Sequence, residues 1–406
     1  MTRTVITGLG VAAPDGLGHE NHWKSVLAGS SGIAPVTGFD TSGYPAVLAG
    51  QIDDFVDAEH IPGRLLPQTD RSTRLGLAAA DWALADAGVG TGDLADHRMG
   101  VVTSSALGGF EFTHREFRSL WNQGPAYVSA YESFAWFYAV NTGQISIRHK
   151  MRGPGAALVG EQAAGLDALG HARRTVRAGT ALVVAGGVDS AFDPWGYLSQ
   201  LAGGLVTPCA DPERGYLPFD AAASGYVPGE GGAMLVVEDA DNARARGARQ
   251  IYGELSGYAA GFDPAPGSDR GPALGRTARA AVADAGLTPA DIDVVFADGA
   301  GVPHLDAAEA EALTALFGPR GVPVTVPKAL TGRLYGGGGP LDVATALLAL
   351  RDGVVPPTYG LSGPPEAYGI DLVRGEAREL PLRHALVLAR GRHGFNSAVV
   401  LTAFDN

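Results

Sequence analysis

Residues 157–172, with the sequence ALVGEQAAGLDALGHA, decide the fold. An apolar strand end is followed by a turn of small residues and then by a predicted helix with Leu166 and Leu169 on one face. A strand, a sharp turn and a helix N-terminus form a nucleophile elbow, which normally exposes a Cys or Ser near the helix amides. The residue at the exposed position here is Gln162, whose amide cannot be acylated. The segment therefore predicts the frame of an acyl-transfer enzyme without its nucleophile.

The composition predicts a soluble, cytoplasmic globular protein. The 406 residues, 46% of them hydrophobic, are enough for two ordinary domains or one large pseudo-symmetric domain. A net charge of −13 argues against non-specific binding to nucleic acid or to an anionic membrane. No apolar run reaches about 18 residues, and the N-terminus lacks a signal-peptide pattern.

No metal site and no internal disulfide are predicted. Cys209 is the only cysteine, so neither a disulfide within the chain nor a cysteine-built metal cluster is possible. His19 and His22 lie close together in the sequence but lack further ligands nearby, so we expect them at the surface.

The N-terminal glycine motif has two interpretations. Residues 8–13, GLGVAA, match the dinucleotide-binding fingerprint GxGxxG/A. Pro14 and Asp15 follow where a helix should run, and no acidic residue closes a βαβ unit about 20 residues further on. The motif therefore favours a short strand from Thr4 that ends in a glycine turn, and no nucleotide cofactor is expected.

Two sequence patterns each occur twice, in the same order. Residues 83–89, ALADAGV, recur as residues 281–287, AVADAGL, and a predicted strand follows each of them. Residues 181–187, ALVVAGG, recur as residues 385–391, ALVLARG. Units of one type in one order indicate duplicated βαβ halves rather than two unrelated domains.

The duplication predicts an α/β fold of the five-layer αβαβα type. The N-terminal half spans residues 1–250, with insertions and the elbow at 157–172, and the C-terminal half spans residues 251–406. The elbow helix would lie between the two sheets, which explains why residues 163–169 are apolar nearly all round the helix.

Two later segments place polar residues at the ends of predicted strands. Residues 294–301, VVFADGAG, form a strand and a glycine loop with Asp298 at its tip. Residues 324–339 form a second strand and a loop that carries Lys328 and Arg333. Because α/β folds place their chemistry at strand ends beside glycine turns, these side chains are predicted to share a site with the elbow.

Together these motifs resemble the β-ketoacyl synthases of the thiolase fold, essentially from end to end. The motifs are the elbow, PFD at 218–220 with GEG at 229–231, DGAG at 298–301, the segment 328–332 and GFNS at 394–397. Active members carry a Cys at the elbow and two His that stabilise and protonate the enolate. Here those positions hold Gln162, Asp298 and Arg333, and the glycine loop near the oxyanion is GRHG at 391–394. Asp298 and Arg333 are therefore former catalytic positions, and Lys328 is counted with them.

This pattern of losses resembles the chain length factor, or ketosynthase-β subunit, of bacterial type II polyketide synthases, which serve antibiotic biosynthesis. VGEQAAG at 159–165, TGRLY at 331–335 and SFAWFYAVNTGQISIRH at 133–149 look like motifs of that family. The resemblance implies a heterodimer with a Cys-bearing ketosynthase-α. It also implies malonyl units delivered on the phosphopantetheine of an acyl carrier protein, with no further cofactor.

Gln162 has two interpretations that the residues leave open. The resemblance implies a priming role, in which the amide holds the thioester carbonyl while malonyl-carrier protein loses CO2. Alternatively, Gln162 fills the vacated site with hydrogen bonds, because an uncharged amide offers no acid–base step. For Asp298 and Arg333, a charge-assisted pair across the old site is favoured over catalysis, since buried opposite charges usually pair.

Phe110, Thr113 and Phe117 have the i, i+3, i+7 spacing of one helix face. Spacing alone favours core packing for such a stripe. The resemblance instead places this helix at the heterodimer interface, where it lines the tunnel of the growing poly-β-ketone. Two phenylalanine rings would close that tunnel early, so a shorter product, about an octaketide, is expected.

Arg173, Arg174 and Arg177 form a basic cluster at the end of the elbow helix. They are candidates for contact with an acidic carrier protein. The pattern favours a simpler interpretation, in which exposed arginines complement the helix C-terminus.

Two rival hypotheses remain from the residues. One is an independent thiolase-fold acyltransferase that uses Ser104, Ser105 or Cys209 as its nucleophile, although Cys209 has no His in sequence reach and favours a plain loop thiol. The other is a purely structural heterodimer scaffold in which Gln162 is inert.

Overall fold

Helices and strands alternate along the chain in a computed structural model that describes residues 3–90, 92, 94–265, 267–268 and 270–404. The strands are β1 Thr4–Ala13, β2 Gly16–Leu17, β3 Ile33–Pro35, β4 Leu48–Gly50, β5 Met99–Ser104, β6 Gly155–Leu158, β7 Leu182–Asp189, β8 Gly231–Asp239, β9 Gly253–Phe262, β10 Val294–Phe296, β11 Pro323–Thr325, β12 Val354–Val355, β13 Asp371–Leu372, β14 Arg378–Glu379, β15 His384–Arg390 and β16 Phe395–Thr402. The α-helices are α1 His19–Ala28, α2 Asp57–His60, α3 Arg71–Asp86, α4 Phe110–Gln123, α5 Glu132–Ala135, α6 Val140–His149, α7 Glu161–Arg177, α8 Pro194–Leu201, α9 Ala240–Ala245, α10 Leu274–Asp284, α11 Pro303–Phe317 and α12 Gly338–Asp352. None of the described helices combines the length and the apolar character that crossing a membrane requires.

The main sheet consists of two half-sheets with the same internal order. The first runs β1-β8-β7-β5-β6, and the second runs β9-β16-β15-β10-β11 and continues to β13. The two half-sheets join where β1 pairs with β9, through Val5 with Glu254 and Ile6 with Gly253. The predicted duplication is therefore present in the strand order, and the join makes one continuous sheet of two related halves.

Five layers follow from where the helices pack. Helices α7 and α12 contact strands of both half-sheets and lie between them, with Leu166, Leu169 and Leu347 in one shared core. Helices α3 and α6 cover the outer face of the first half-sheet, and α10 and α11 cover the second. The predicted αβαβα sandwich is confirmed, including the burial of the elbow helix. Residues 1–2, which begin the predicted N-terminal half, and residues 405–406, which end the predicted C-terminal half, lie outside the described part of the chain.

The glycines of the N-terminal motif lie inside a strand. Strand β1 continues through Gly8 and Gly10, so the predicted glycine turn is wrong. A Cβ at Gly8 would lie 2.2 Å from the carbonyl oxygen of Ala83 on α3, so glycine is needed here for close helix packing. Gly257 repeats this arrangement in the second half, since its Cβ would lie 2.2 Å from the carbonyl oxygen of Ala281 on α10.

The repeated ADAG sequence also has a structural reason. Asp86, at the end of α3, accepts a 2.8 Å hydrogen bond from the backbone N–H of Leu9. Asp284, at the end of α10, accepts a 3.0 Å hydrogen bond from the backbone N–H of Tyr258. Each aspartate therefore fastens its helix to the strand at the residue after the close-contact glycine.

His22 is buried, which contradicts the predicted surface position. Its side chain lies between Asp15, whose Oδ1 is 2.7 Å from Nδ1, and Thr345, whose Oγ1 is 2.9 Å from Nε2. His19 is half-buried, with Nδ1 3.1 Å from the carbonyl oxygen of Leu9. The prediction failed because the partners of His22 come from the turn between β1 and β2 and from α12, which packs against α1.

Candidate functional site

The elbow is formed where the edge strand β6 passes into α7. The residue with a left-handed backbone is Glu161, with φ of 53°, a conformation that is strained for a side chain of this kind. Gln162 follows in the first turn of α7 and is fully buried. The frame of a nucleophile elbow is therefore present, with the strain at the residue before the glutamine.

The Gln162 amide has no protein partner in the described structure. Neither Oε1 nor Nε2 forms a hydrogen bond with a described residue, although the side chain is 0% exposed. Gly338, at the start of α12, packs against it, and a Cβ there would lie 2.5 Å from Oε1. The hydrogen bonds expected of a Gln162 that fills the site are not formed with the described residues, so its buried amide keeps an unused donor and acceptor.

Asp298 and Arg333 form the expected ion pair. Arg333 Nη2 lies 3.0 Å from Asp298 Oδ1, and both side chains are buried. Arg390, at the end of β15, adds a backbone N–H at 2.9 Å and its Nε at 3.3 Å to the same carboxylate. Burial alone would raise the pKa of Asp298, but Arg333, Arg390 and Lys328 together lower it to about 2. Asp298 is therefore a fixed anion, not a proton donor or acceptor at neutral pH.

A second acid and a second base extend this network. Arg390 Nη2 lies 3.1 Å from Oε2 of Glu309, a fully buried residue of α11. Glu309 also accepts the backbone N–H groups of Asp298 at 2.8 Å and Gly299 at 2.9 Å, which fixes the loop after β10. The charged side chains thus pair with one another and fix the backbone of the loop after β10.

Lys328 is also paired. Its Nζ lies 2.5 Å from Oδ2 of Asp342 on α12 and donates to the carbonyl oxygen of Ala297 at 3.0 Å. Burial raises the pKa of Asp342 to about 6, against the opposing effect of the Lys328 charge. All three former catalytic positions therefore carry charges that neighbouring charges neutralise.

A cavity of about 400 Å³ remains beside this network. Asp298, Arg333 and Arg392 line it, together with Glu161 from the elbow. Glu161 accepts a hydrogen bond from the backbone N–H of Arg392 at 2.5 Å. Glu161, rather than Gln162, is thus the elbow residue that faces the open volume.

The three residues of the predicted chain-length stripe line one pocket of about 340 Å³. Phe110, Thr113 and Phe117 all lie on α4, as their spacing predicts. The indole ring of Trp195 on α8 also lines the pocket, 4.8 Å from the ring of Phe110 and 5.8 Å from that of Phe117. The other lining residues are Leu107, Gly109, Glu132, Trp136 and Tyr138. The stripe faces open volume rather than a packed core.

Comparison with known proteins identifies the family. The N-terminal domain of the β-ketoacyl synthases matches residues 1–243, and their C-terminal domain matches residues 252–362. The chain belongs to the β-ketoacyl synthase family. It is similar to the actinorhodin polyketide "beta-ketoacyl synthase 2" of Streptomyces coelicolor, with 66% identity over 98% of both chains.

Two solved structures extend the comparison to subunit complexes. One is described as the ishigamide ketosynthase/chain length factor, with a TM-score of 0.89, 26% identity and full coverage of both chains. The other is described as a type II polyketide synthase acyl carrier protein in complex with its ketosynthase bound to the hexaketide, with a TM-score of 0.88, 25% identity and full coverage of both chains.

At the three rival positions, this member of the family has no nucleophile paired with a histidine among the described residues. The Ser104 hydroxyl donates to the carbonyl oxygen of Gly336 at 2.6 Å, and the Ser105 hydroxyl donates to Asp189 at 2.7 Å. Cys209 is half-buried in a loop. Within the described part of the chain, none of the three has a histidine partner, and the Asp189 carboxylate beside Ser105 is already occupied by backbone N–H groups.

The basic cluster at the end of α7 is only partly exposed. Arg173 is 5% exposed, forms an ion pair with Asp284 at 2.6 Å and also donates to a backbone carbonyl, so the exposure that both interpretations of the cluster expected is wrong for this residue. The prediction failed because Asp284 belongs to the distant helix α10. Arg174 and Arg177 are exposed, and Arg174 lies over the ring of Tyr258 at 5.5 Å.

Several site residues were not found from the sequence, among them Trp195, Asp189 and the Arg390–Glu309 pair. Trp195 lies far from α4 in the chain, and no local pattern connects it to the pocket. Asp189, at the end of β7, accepts hydrogen bonds from the backbone N–H groups of Ala106 at 2.8 Å, Leu107 at 3.1 Å and Gly336 at 2.8 Å. Burial raises its pKa to about 6. Asp189 ends a strand that belongs to a repeated sequence pattern, and this position could have identified it as a site residue, as the strand-end position identified Asp298.

Proposed function

We propose that the chain is a non-condensing ketosynthase-β subunit that pairs with a cysteine-bearing ketosynthase-α and sets the length of a poly-β-ketone. Condensation needs a thiolate and acid–base groups that stabilise the enolate. At those positions the chain has an amide, Gln162, and the ion pair of Asp298 with Arg333. The observation that carries the proposal is the aromatic pocket on α4, which lies in a β-ketoacyl synthase that lacks a condensing site of its own.

An exposed apolar surface supports the heterodimer. Large apolar side chains at least 39% exposed are concentrated between residues 121 and 198, on and around α4, α5, α6 and α8. They are Trp121, Tyr127, Tyr131, Trp136, Phe137, Ile147, Val159, Trp195 and Leu198. Apolar surface of this extent marks a protein interface, and the edge strand β6 lies in the same segment. The ketosynthase/chain length factor structure supports a ketosynthase as the partner.

The substrate is proposed to arrive on an acyl carrier protein. The similar complex of a carrier protein with its ketosynthase supports this partner. The phosphopantetheine arm of the carrier would bring malonyl units to the ketosynthase-α cysteine, and no further cofactor is proposed. We place the complex in the cytoplasm.

Product length is proposed to follow from the pocket on α4. Phe110 and Phe117 from α4 and Trp195 from α8 narrow the space into which the chain extends. Because close-packed rings resist overlap, each added unit beyond the pocket must displace an aromatic side chain. We propose that the space in this pocket limits the poly-β-ketone to about an octaketide.

The test is the product mass of the reconstituted heterodimer with Phe110→Ala and Phe117→Ala. Both variants are expected to shift the main product to longer chains, because each removes a ring from the pocket. Phe317→Ala is the matched control, since Phe317 is a half-buried phenylalanine at the end of α11 on the other half of the molecule. Unchanged product length in both pocket variants would contradict the proposal.

A priming role for Gln162 is proposed separately. Its unpartnered amide can hold a thioester carbonyl during decarboxylation, provided that the substrate reaches this buried position. Gln162→Ala in the heterodimer is expected to lower the rate of CO2 release from malonyl-carrier protein. Undiminished CO2 release and product yield would instead favour the scaffold hypothesis, in which Gln162 is inert.

A further inference from the structure

A groove of about 280 Å³ lies between α10 and α11, on the outside of the second half. Four of its lining residues have no side chain larger than a methyl group, and these are Gly275, Ala308, Ala312 and Ala315. A Cβ at Gly275 would lie 3.4 Å from the Cβ of Ala312, so the two helices come close together beneath the groove. Arg276 and Arg279 of α10 and Glu311 of α11 also line the groove, and all three are exposed. The groove therefore combines small apolar side chains with an exposed pair of arginines.

The corresponding face of the first half is covered by the chain itself. The repeated ADAG sequence places Ala78 of α3 in correspondence with Arg276 of α10. The short helix α2 packs against α3, and its Asp57 forms an ion pair with Arg74, one turn before Ala78. Ala78 is 1% exposed, whereas Arg276 is exposed. The first half thus shows which chemistry this kind of helix face accepts, namely a short helix with acidic side chains in its first turn.

Arg276 and Arg279 have no such acidic partner. Nη1 of Arg276 donates to two backbone carbonyl oxygens, those of Gly271 at 3.1 Å and Pro272 at 3.3 Å. Within the described part of the chain, neither arginine forms an ion pair with a carboxylate. The two residues are neighbours on the helix surface, so they place two unpaired positive charges together on a protein with a net charge of −13. A carboxylate on a partner would form charge-assisted hydrogen bonds with them.

The groove leads to the cavity beside the former active site. His304, at the start of α11, lines that cavity, and Ala308, one turn further along the same face, lines the groove. At the start of α10, the backbone N–H of Ala273 donates at 2.6 Å to Asp263, which also lines the cavity. A partner in the groove is therefore held about 6 Å along α11, one helical turn, from a residue that lines the cavity.

We propose that the groove between α10 and α11 binds an acidic helix of the acyl carrier protein, with Arg276 and Arg279 as its charged contacts. An amphipathic helix fits such a groove, because its apolar side chains pack on the small residues while its carboxylates face the arginines. The phosphopantetheine arm of a carrier bound there enters the neighbouring cavity, which Asp298 and Arg333 line. This docking serves the elbow side of this chain and is separate from delivery to the ketosynthase-α cysteine. The inference rests on the proposed function, because it takes the carrier protein as the source of malonyl units.

The direct test is a cross-link at Arg279 in the heterodimer. Arg279→Lys keeps the positive charge and adds an amine, which a carbodiimide joins to a carboxylate in contact with it. Glu311→Gln is made in the same chain, so that the opposite wall of the groove offers no carboxylate. With malonyl-loaded carrier protein, mass spectrometry of the digested product is expected to show the new amine joined to an Asp or Glu of the carrier.

The control for the cross-link is Arg249→Lys, also combined with Glu311→Gln. Arg249 is exposed and lies beside Gly88 in the first half, so no link to the carrier is expected there. A link from position 279 to ketosynthase-α or to a second copy of this chain would overturn the carrier protein as the occupant. The absence of any link at position 279 would overturn the docking surface.

Charge reversal gives a second readout. Arg276→Glu with Arg279→Glu is expected to raise the KM for malonyl-carrier protein in CO2 release about tenfold, because two attractive surface charges become repulsive. The same reversal at the exposed Arg64 and Arg249 is the control and should change KM by at most about twofold. An unchanged KM in the groove variant would overturn delivery through the groove even if the link forms. Undiminished CO2 release from Gln162→Ala would overturn the priming proposal alone, because the cross-link does not depend on Gln162.

Discussion

Replacing Asp298 with Asn tests whether the former active site is held by buried charge. Six buried or nearly buried charges balance there, three acids and three bases: Asp298, Glu309, Asp342, Lys328, Arg333 and Arg390. Asp298→Asn leaves one positive charge uncompensated in a site where Asp298 is 0% and Arg333 4% exposed. Breaking a buried pair from one side costs about 3–5 kcal/mol. Divided by the unfolding entropy of a 406-residue chain, this free-energy cost corresponds to a fall in Tm of about 3–6 °C.

The assay is calorimetry of the purified heterodimer, with Asp241→Asn as the control. Asp241 also forms an ion pair, with Arg244, but its side chain is 94% exposed, so its loss should cost at most about 1 kcal/mol. The pKa of Asp298 is lowered to about 2, so its contribution is present above its usual pKa of 3.8 and lost only toward pH 2. The titration of Asp298 itself therefore adds nothing to the Tm difference between about pH 6 and about pH 8. A Tm change no larger than that of Asp241→Asn would refute the buried network.

Three further outcomes are expected. Phe117→Ala should make longer chains the main product, measured by mass spectrometry of the heterodimer's products. Gly8→Val and Gly257→Val should each lower the free energy of unfolding by about 1–3 kcal/mol in urea titrations, because each added Cβ lies 2.2 Å from a helix carbonyl oxygen. A loss of stability in only one of the two variants would contradict equivalent helix packing in the two halves. Burial raises the pKa of Asp306 to about 7, so the folded state gains stability as pH falls from about 8 to about 5; Asp306→Asn should lack this gain in Tm, and an unchanged gain would contradict the assignment.

Features that depend on local order were predictable from the sequence. The elbow helix α7 and the duplicated halves follow from periodicity and from repeated strings, because each half must bury the same faces in the same order. The pairing of Asp298 with Arg333 followed from placing opposite charges at neighbouring strand ends, where the fold leaves them no water.

Features that depend on a distant partner were not predictable. The glycines of β1 looked like a turn because nothing in the local sequence shows that α3 lies within 2.2 Å of a Cβ at Gly8. Arg173 looked exposed because its partner, Asp284, lies in the other half. His22 looked like a surface residue because Thr345, which lies beside its Nε2, belongs to α12. In each case the deciding contact joins elements that are distant in the sequence, and for Arg173 and His22 it forms only when the two halves pack together.

The most direct test of the central claim is reconstitution with and without ketosynthase-α, using malonyl-loaded carrier protein and reading product mass. The absence of a nucleophile at Gln162 and the pairing of Asp298 with Arg333 predict polyketide only when both subunits are present, with one dominant length. Polyketide from this chain alone would contradict the account, because it would require a nucleophile in this chain, and Ser104, Ser105 and Cys209 have no histidine partner among the described residues.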